Sequence, residues 1–317
     1  FTFDGSLGRQ PAALLCRTNA DGLTFLLYRF LLSQPESIGK DEIINGVRSS
    51  AVLERACADD AGPARHTRGV RAAATFLTRV PVGGFPYRDD DWRWASAHFP
   101  LIGLAVGAIG ALACWLALPV SPLVAGGLAV AVTVLVTGGF HEDGLADSAD
   151  ALGGGFDRVR VLQILKDSRI GAFGGLAITL SILLRVALLA ALAGRAPVAL
   201  VVAHALSRVP PIWLMVHLPY ATDDAAAKSR LISRAGPAQA LVATGWGLAA
   251  GGAAVGLGGV AAAPVALAIA VCVGVTLIAG WRFTARVGGV TGDFLGATQQ
   301  LCELAILFAL ATGAGAP

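Results

Sequence analysis

Phe99-Pro-Leu-Ile-Gly-Leu-Ala-Val-Gly-Ala-Ile-Gly-Ala-Leu-Ala-Cys-Trp-Leu-Ala-Leu118 carries no charged side chain along its length. A helix rises about 1.5 Å per residue, so a run of ~20 apolar residues matches the hydrocarbon thickness of a bilayer. Comparable apolar segments recur near 122–140, 172–193, 197–218, 238–257, 259–281 and 300–315, the last of them short for a span. One such segment would suit a buried helix of a soluble core; a series of them suits lipid. Their Ala, Gly, Val and Leu content favours close helix packing there. The chain of 317 residues is 55% hydrophobic and only 14% charged, with a mean hydropathy of +0.68. The expected fold is all-α: a polytopic integral membrane protein of six to seven transmembrane helices, seven if every segment spans and six if one is re-entrant.

The loops argue an orientation. With seven spans, the loops near 140–171, 219–237 and 282–299 share a side and hold Arg158, Arg160, Lys166, Arg169, Lys228, Arg230, Arg234, Arg282 and Arg286. The opposite loops hold little beyond Arg195. Positive charge accumulates on the cytoplasmic face, which places these loops in the cytoplasm. Five scattered cysteines suggest neither a disulfide frame nor a zinc site, and a net charge of +3 gives no nucleic-acid footprint. Residues 1–68 are mixed in polarity and lack the layout of a signal peptide. They read as an atypical N-terminal extension, partly disordered, ahead of a membrane-embedded domain over 69–317. Asp89-Asp90-Asp91 reads as a solvated turn, with Trp92 and Trp94 at the membrane interface.

The polar residues are concentrated. His141-Glu-Asp-Gly-Leu-Ala-Asp-Ser-Ala-Asp150 sets four carboxylates into ten residues, directly after the uncharged run Val120–Phe140. Asp143, Asp147 and Asp150 are spaced i, i+4, i+7, so a helix stacks them on one face. Stacked carboxylates repel, and a divalent cation would offset the repulsion; the alternative is a solvated acidic helix start favoured by the helix dipole. The motif is followed by Gly153-Gly154-Gly155 and then by Lys166-Asp167-Ser168-Arg169. Acid for a metal and base for phosphate is a layout suited to a Mg²⁺-bound diphosphate. His141 is a candidate base, or a cap for the preceding helix.

Further along, Asp293 follows a glycine-rich turn as either a second acidic site or an N-cap. Arg208, just before Pro210-Pro211, is expected to face the active site. Glu303, about two turns into the last span, is a functional candidate by its depth, and Arg185 either faces the active site or pairs with an internal carboxylate. His204 and His217 read as packing or interface residues. Lys228, Ser229 and Arg230 could bind phosphate or simply enrich a cytoplasmic loop.

Several stretches in order over about 70–315 resemble those of the adenosylcobinamide-GDP ribazoletransferase (cobalamin-5′-phosphate synthase) family. They are Phe76-Leu-Thr-Arg-Val-Pro81, Phe99-Pro-Leu-Ile-Gly103, Thr137-Gly-Gly-Phe-His-Glu-Asp-Gly-Leu-Ala-Asp-Ser-Ala-Asp-Ala-Leu152, Lys166-Asp-Ser-Arg-Ile-Gly171 and Gly288-Gly-Val-Thr-Gly-Asp293. The chain departs from the family pattern at Glu142, where an apolar residue is more common, at Phe294, where a small polar residue is common, and at Gln300, which takes the place of a carboxylate. The resemblance implies a polytopic enzyme of the bacterial inner membrane, late in cobalamin biosynthesis, that joins adenosylcobinamide-GDP to α-ribazole or its 5′-phosphate and releases GMP with Mg²⁺. It implies Asp143, Asp147 and Asp150 at the metal. Lys166, Arg169, Arg208 and Asp293 would bind substrate, and Asp150, Asp167 or His141 would act on the proton. The implied partners are these small molecules and the bilayer, with no nucleic acid; a homo-oligomer is left open.

Two other readings share features. A CDP-alcohol phosphotransferase also places aspartates at helical spacing in a membrane, but its Asp-Gly motif carries an Ala-Arg step, whereas here Ala146 precedes Asp147. A secondary transporter would account for intramembrane arginines, yet it would show internal repeats, and the sequence has no clear one. A polyprenyl synthase would need a tighter aspartate spacing and a soluble core.

Overall fold

The computed structural model describes residues 63–83, 87–221 and 235–313. The N-terminal extension as far as residue 62 and the candidate phosphate-binding loop with Lys228, Ser229, Arg230 and Arg234 lie outside them. Twelve α-helices follow one another: α1 Pro63–Leu77, α2 Asp89–Ala95, α3 Phe99–Ala117, α4 Pro122–Thr137, α5 Phe140–Gly154, α6 Arg158–Ile164, α7 Ala172–Leu192, α8 Ala196–Leu206, α9 Pro210–His217, α10 Pro237–Gly256, α11 Ala262–Val287 and α12 Gly292–Thr312. Among the described residues there is no β-strand, only an isolated bridge between Tyr220 and Val290.

The chain is an all-α protein with helices built for a membrane. Five helical runs are long and apolar enough to cross one: Asp89–Ala117, Ala172–His217, Pro237–Gly256, Ala262–Val287 and Gly292–Thr312. A sixth arises if the bent pair α4 and α5 counts as one span. This upper count meets the reading of six spans with one re-entrant segment, whereas the seven-span alternative is too large for two physical reasons. Segments 172–193 and 197–218 join into one helical run, turned at Ala193, where φ is +46°. The segment near 122–140 ends early because Gly138 and Gly139 both take left-handed backbone, φ 70° and 71°. Two successive left-handed residues suit glycine alone at little cost, and they turn the chain by 91° from α4 into α5.

Apolar side chains sort as lipid requires. Leu112, Trp115, Leu116, Leu183, Leu277, Ile278 and Trp281 face outward, while Cys114, Ala125, Ala129, Leu189, Leu200 and Ile306 pack inside. Small residues set how near the helices approach. The most extensive helix contact joins α3 to α8. There a Cβ on Gly107 would lie 2.8 Å from the Leu200 carbonyl oxygen, and one on Gly103 would overlap the carbonyl of His204. This explains the glycine of Phe99-Pro-Leu-Ile-Gly103: it admits the backbone of α8 and leads straight to Arg208.

Asp91 departs from the solvated turn expected for the three aspartates. It is buried in the first turn of α2, accepting a hydrogen bond from Arg68 Nε at 3.0 Å and another from the Arg88 amide at 3.1 Å.

Candidate active site

Helix α5 lies across the start of α12 because both surfaces are bare. A Cβ on Gly144 would sit 2.9 Å from the Asp293 carbonyl oxygen and 3.4 Å from the Gly296 Cα. That approach brings the acidic face of α5 beside Asp293. Thr291, rather than Asp293, caps α12: its Oγ1 accepts from the Phe294 amide at 3.3 Å. The Asp293 carboxylate is thereby left to face a cavity.

This cavity of about 420 Å³ is bordered by His141, Asp143, Lys166, Arg208, Tyr220, Thr291, Asp293 and Gln299 on its polar side. Phe76, Phe99, Phe140 and Met215 form its apolar side. Phe76 stacks on Phe99 (5.7 Å between centroids) and meets Phe140 edge-on at 5.1 Å. The Arg79 amide donates to the Val136 carbonyl at 2.8 Å, and its side chain lies over Gly138. The Phe76–Pro81 and Thr137–Leu152 motifs therefore meet at one wall. A larger cavity, about 660 Å³, opens between α9, α10 and α11. It is almost wholly apolar and has no carboxylate or lysine or arginine on its walls, so it offers nothing for phosphate chemistry.

The expected site residues divide into those that reach the cavity and those with other contacts. His141, Asp143, Lys166, Arg208 and Asp293 line it. Asp147 sits one turn behind Asp143, half-buried, within the electrostatic reach of Asp143, Asp293 and Asp150. Asp150 is engaged elsewhere. Its Oδ2 accepts from the Gly171 amide at 2.6 Å and its Oδ1 from the Gly174 amide at 2.8 Å. It thus caps α7 from a neighbouring helix, as an anion favourably placed at a helix N-terminus. Gly171 and Gly174 leave room for it, since a Cβ on either would collide with the carboxylate. This explains the closing glycine of Lys166-Asp-Ser-Arg-Ile-Gly171.

Asp167 and Arg169 are bound to each other at the surface. The Asp167 carboxylate accepts from the Arg169 amide at 3.1 Å, from Nε at 3.0 Å and from Nη2 at 2.7 Å. These bonds hold its carboxyl down at about 2. Neither residue borders the cavity, whereas Lys166 beside them does.

Sequence reasoning left the surroundings of Arg208 unread. Arg208 lies in the break between α8 and α9 and is 2% exposed, with Nη1 donating to the His204 carbonyl at 2.6 Å. Behind it, α5, α7 and α12 enclose a cluster of Glu142, Arg185, Gln299, Gln300 and Glu303 with His204 and Ser207 of the α8 end. Arg185 Nη1 is 2.9 Å from Glu142 Oε1 and 3.4 Å from Glu303 Oε1. The polar pair Gln299-Gln300 inside an apolar span was the available signal, because such groups in lipid need partners.

The end of the bundle that holds the cavity is laced together by the remaining motif residues. Arg286 Nη2 donates to the Leu152 carbonyl at 3.0 Å and to that of Gly155. The Gly292 amide donates to the Tyr220 hydroxyl at 3.1 Å. Over Gly289 the Pro219 carbonyl comes so near that a side chain would overlap it.

A family model described as cobalamin-5-phosphate synthase matches residues 69–311. The chain belongs to that family. Among curated relatives, an adenosylcobinamide-GDP ribazoletransferase of Leptothrix cholodnii is 46% identical over 243 residues, covering 74% of this chain and 90% of the relative. Proteins of the same name from a Polaromonas species and from Ralstonia nicotianae are each 40% identical and are covered to 94%. No solved structure matches. The family match begins within α1 and takes in every residue of the cavity wall.

Proposed function

We propose that this membrane transferase joins α-ribazole, or its 5′-phosphate, to adenosylcobinamide-GDP at the cavity beneath α5 and releases GMP. The observation that carries the reading is the meeting of Asp143 and Asp293 with Lys166 and Arg208 around one cavity in a chain of this family. Carboxylates and cations bordering one space suit a diphosphate accompanied by a metal ion.

Mg²⁺ fits the residues present. Asp143, Asp147 and Asp293 act on one another as like charges, and no cation figures among the groups acting on Asp147. Among the described residues, no three His, Cys, Asp or Glu side chains form a ready-made metal cage. That suits Mg²⁺, which is usually held by one or two carboxylates together with substrate phosphates and water. Asp143 and Asp147 would hold it, with Asp293 beside them. Once bound, Mg²⁺ would neutralise charge on the diphosphate.

The protein side of the reaction follows from position. Lys166 and Arg208 bind phosphate oxygens with charge-assisted hydrogen bonds. The ribazole hydroxyl oxygen forms a bond to the phosphorus bearing the cobinamide, the bond from that phosphorus to the GMP oxygen breaks, and the hydroxyl proton passes to a base. Of the three bases expected from sequence, Asp150 caps α7, Asp167 is tied to Arg169 outside the cavity, and His141 borders it. We assign the proton to His141. The apolar wall of Phe76, Phe99 and Phe140 suits the aromatic base of α-ribazole.

Lys166 borders this cavity, Arg158, Arg160 and Arg169 stand in the same stretch between α5 and α7, and Arg286 is tied to that stretch at the Leu152 carbonyl, a gathering of positive charge that supports a cytoplasmic orientation in a bacterial inner membrane. The test is direct. Membranes holding the protein are supplied with adenosylcobinamide-GDP, α-ribazole and Mg²⁺, and GMP and a cobalamin are measured. Asp143→Asn and Asp147→Asn are each expected to abolish GMP release. Normal turnover in both variants would remove the metal assignment, and absence of a cobalamin product from the native protein would remove the function.

A further inference from the structure

We propose that Glu142 is a positioning residue, the counter-charge of buried Arg185, and that it occupies the electrostatic place of a carboxylate at position 300. The two side chains meet across the interface of α5 with α12, so the negative charge can sit on either helix.

Arg185 projects from α7, is 1% exposed, and lies within a segment built for lipid. A guanidinium there requires a counter-charge. Its nearest carboxylate oxygen is Glu142 Oε1 at 2.9 Å, with Glu303 Oε1 further off at 3.4 Å. Gln300 reaches the same point from the other side. Its Nε2 donates to Glu142 Oε1 at 3.3 Å, and its Oε1 accepts from Ser181 Oγ at 3.5 Å, one helical turn before Arg185. Glutamate and glutamine have nearly the same size, so position 142 or 300 could carry the charge and the other the amide.

The exchange preserves a balance. Arg185 and Arg208 are matched by Glu142 and Glu303, all four side chains being buried. Removing one partner of a buried pair leaves an uncompensated charge, which is the costly event. The cluster also touches the cavity described above. A chamber of about 10 Å³, bordered by Glu142, Gln300, Glu303 and His204, has His141 and Arg208 in its wall, and both of these also face the substrate cavity. The charges of Glu303 and Glu142 act on Arg208. Glu303 is held by Gln299 Nε2 at 2.8 Å. Through Arg185 and Glu303, Glu142 therefore fixes where Arg208 and His141 stand.

The experiment uses full-length protein in detergent with three variants: Glu142→Gln, Gln300→Glu and the two combined. Thermal unfolding is followed without substrate, and kcat for GMP release is measured on the monodisperse fraction. Each single variant is expected to lower kcat about tenfold or more and the melting temperature by ~5 °C, as an unbalanced buried charge requires. The combined variant is expected to recover kcat to within about threefold and most of the lost melting temperature, as coupled neighbours do. If a single variant does not yield folded protein, recovery of folded protein by the combination supports the proposal equally. A combined variant no better than the worse single one overturns it, as does Glu142→Gln behaving like the native chain in both measurements. The kinetic arm rests on the transferase reading and the thermal arm does not, so failure of one is distinguishable from failure of the other.

Discussion

Gly144 of α5 faces the backbone of Asp293 with no room for a side chain between them: a Cβ would stand 2.9 Å from the Asp293 carbonyl oxygen. The separation of the two acidic elements is thus set by the absence of a methyl group. Gly144→Ala is expected to push α5 from α12, and a displacement near 1 Å at a reacting centre costs on the order of 100-fold in rate. Gly296→Ala, on the opposing helix, meets only ordinary contacts at 3.5 Å and 3.6 Å. It is expected to keep turnover within about twofold, since a contact at van der Waals distance needs no displacement. GMP release by the two variants, compared at equal amounts of folded protein, checks the contrast.

Asp150 and Asp143 lie on one helix face but meet different surroundings, the amides of Gly171 and Gly174 for one and the cavity for the other. Asp150→Asn removes the charge at the α7 N-terminus and one of two accepted hydrogen bonds, which should cost about 1 to 2 kcal/mol of stability. The concentration of Mg²⁺ giving half-maximal turnover should stay where it was. Asp143→Asn should do the reverse, sparing the melting temperature and destroying the metal response. A melting curve and a Mg²⁺ titration on each variant separate the roles. A strong shift in metal requirement with Asp150→Asn would return that residue to the metal.

The Arg169 guanidinium and amide hold the Asp167 carboxyl at about 2, below its ordinary value. The ionised form is therefore the one the fold favours. Whatever stability this gives is present above the ordinary carboxylate range near pH 4 and is lost as pH falls from there through about 2. Between roughly pH 5 and 9 Asp167 does not titrate. Asp167→Asn is accordingly expected to leave the shape of kcat/KM against pH unchanged over that interval. Loss of an acid limb in the variant would restore Asp167 as the base.

His141 borders the cavity, and among the described residues no hydrogen bond from another side chain holds its ring. As the proton acceptor it should contribute about 100- to 10,000-fold. His141→Ala should lose activity by that amount and regain part of it when imidazole is added, because the deletion leaves space for a small base beside the hydroxyl. His141→Ala with undiminished kcat would rule the assignment out.

Much of this architecture was legible in the chain before any coordinates. Long uncharged segments give spanning helices, and the i, i+4, i+7 aspartates give an acidic helix face, because both depend on local periodicity. The count of spans was less legible. A sequence window cannot register that Gly138 and Gly139 are both left-handed, so it reads straight through a right-angled turn. Long-range contacts were less accessible still. Nothing in the spacing of Asp150 reveals that its oxygens meet the amides of Gly171 and Gly174, although the position of those glycines hints at a close approach. Gln299 and Gln300 are polar residues in an apolar span, a signal that the pattern of charges passes over. Their partners, Glu142, Glu303 and Ser207, come from other helices and are joined only by folding.

The right angle between α4 and α5 has an electrical consequence. If α4 stands upright in a bilayer, the 91° turn lays α5 along its plane and sets Asp143, Asp147 and Asp150 at one depth. Work is done by a membrane potential only on charge that changes depth, about 2.3 kcal/mol per elementary charge over 100 mV for a full crossing. A cation or a phosphate moving along this helix stays on an equipotential. Phosphotransfer confined to this helix face would then be insulated from the membrane voltage by two glycines.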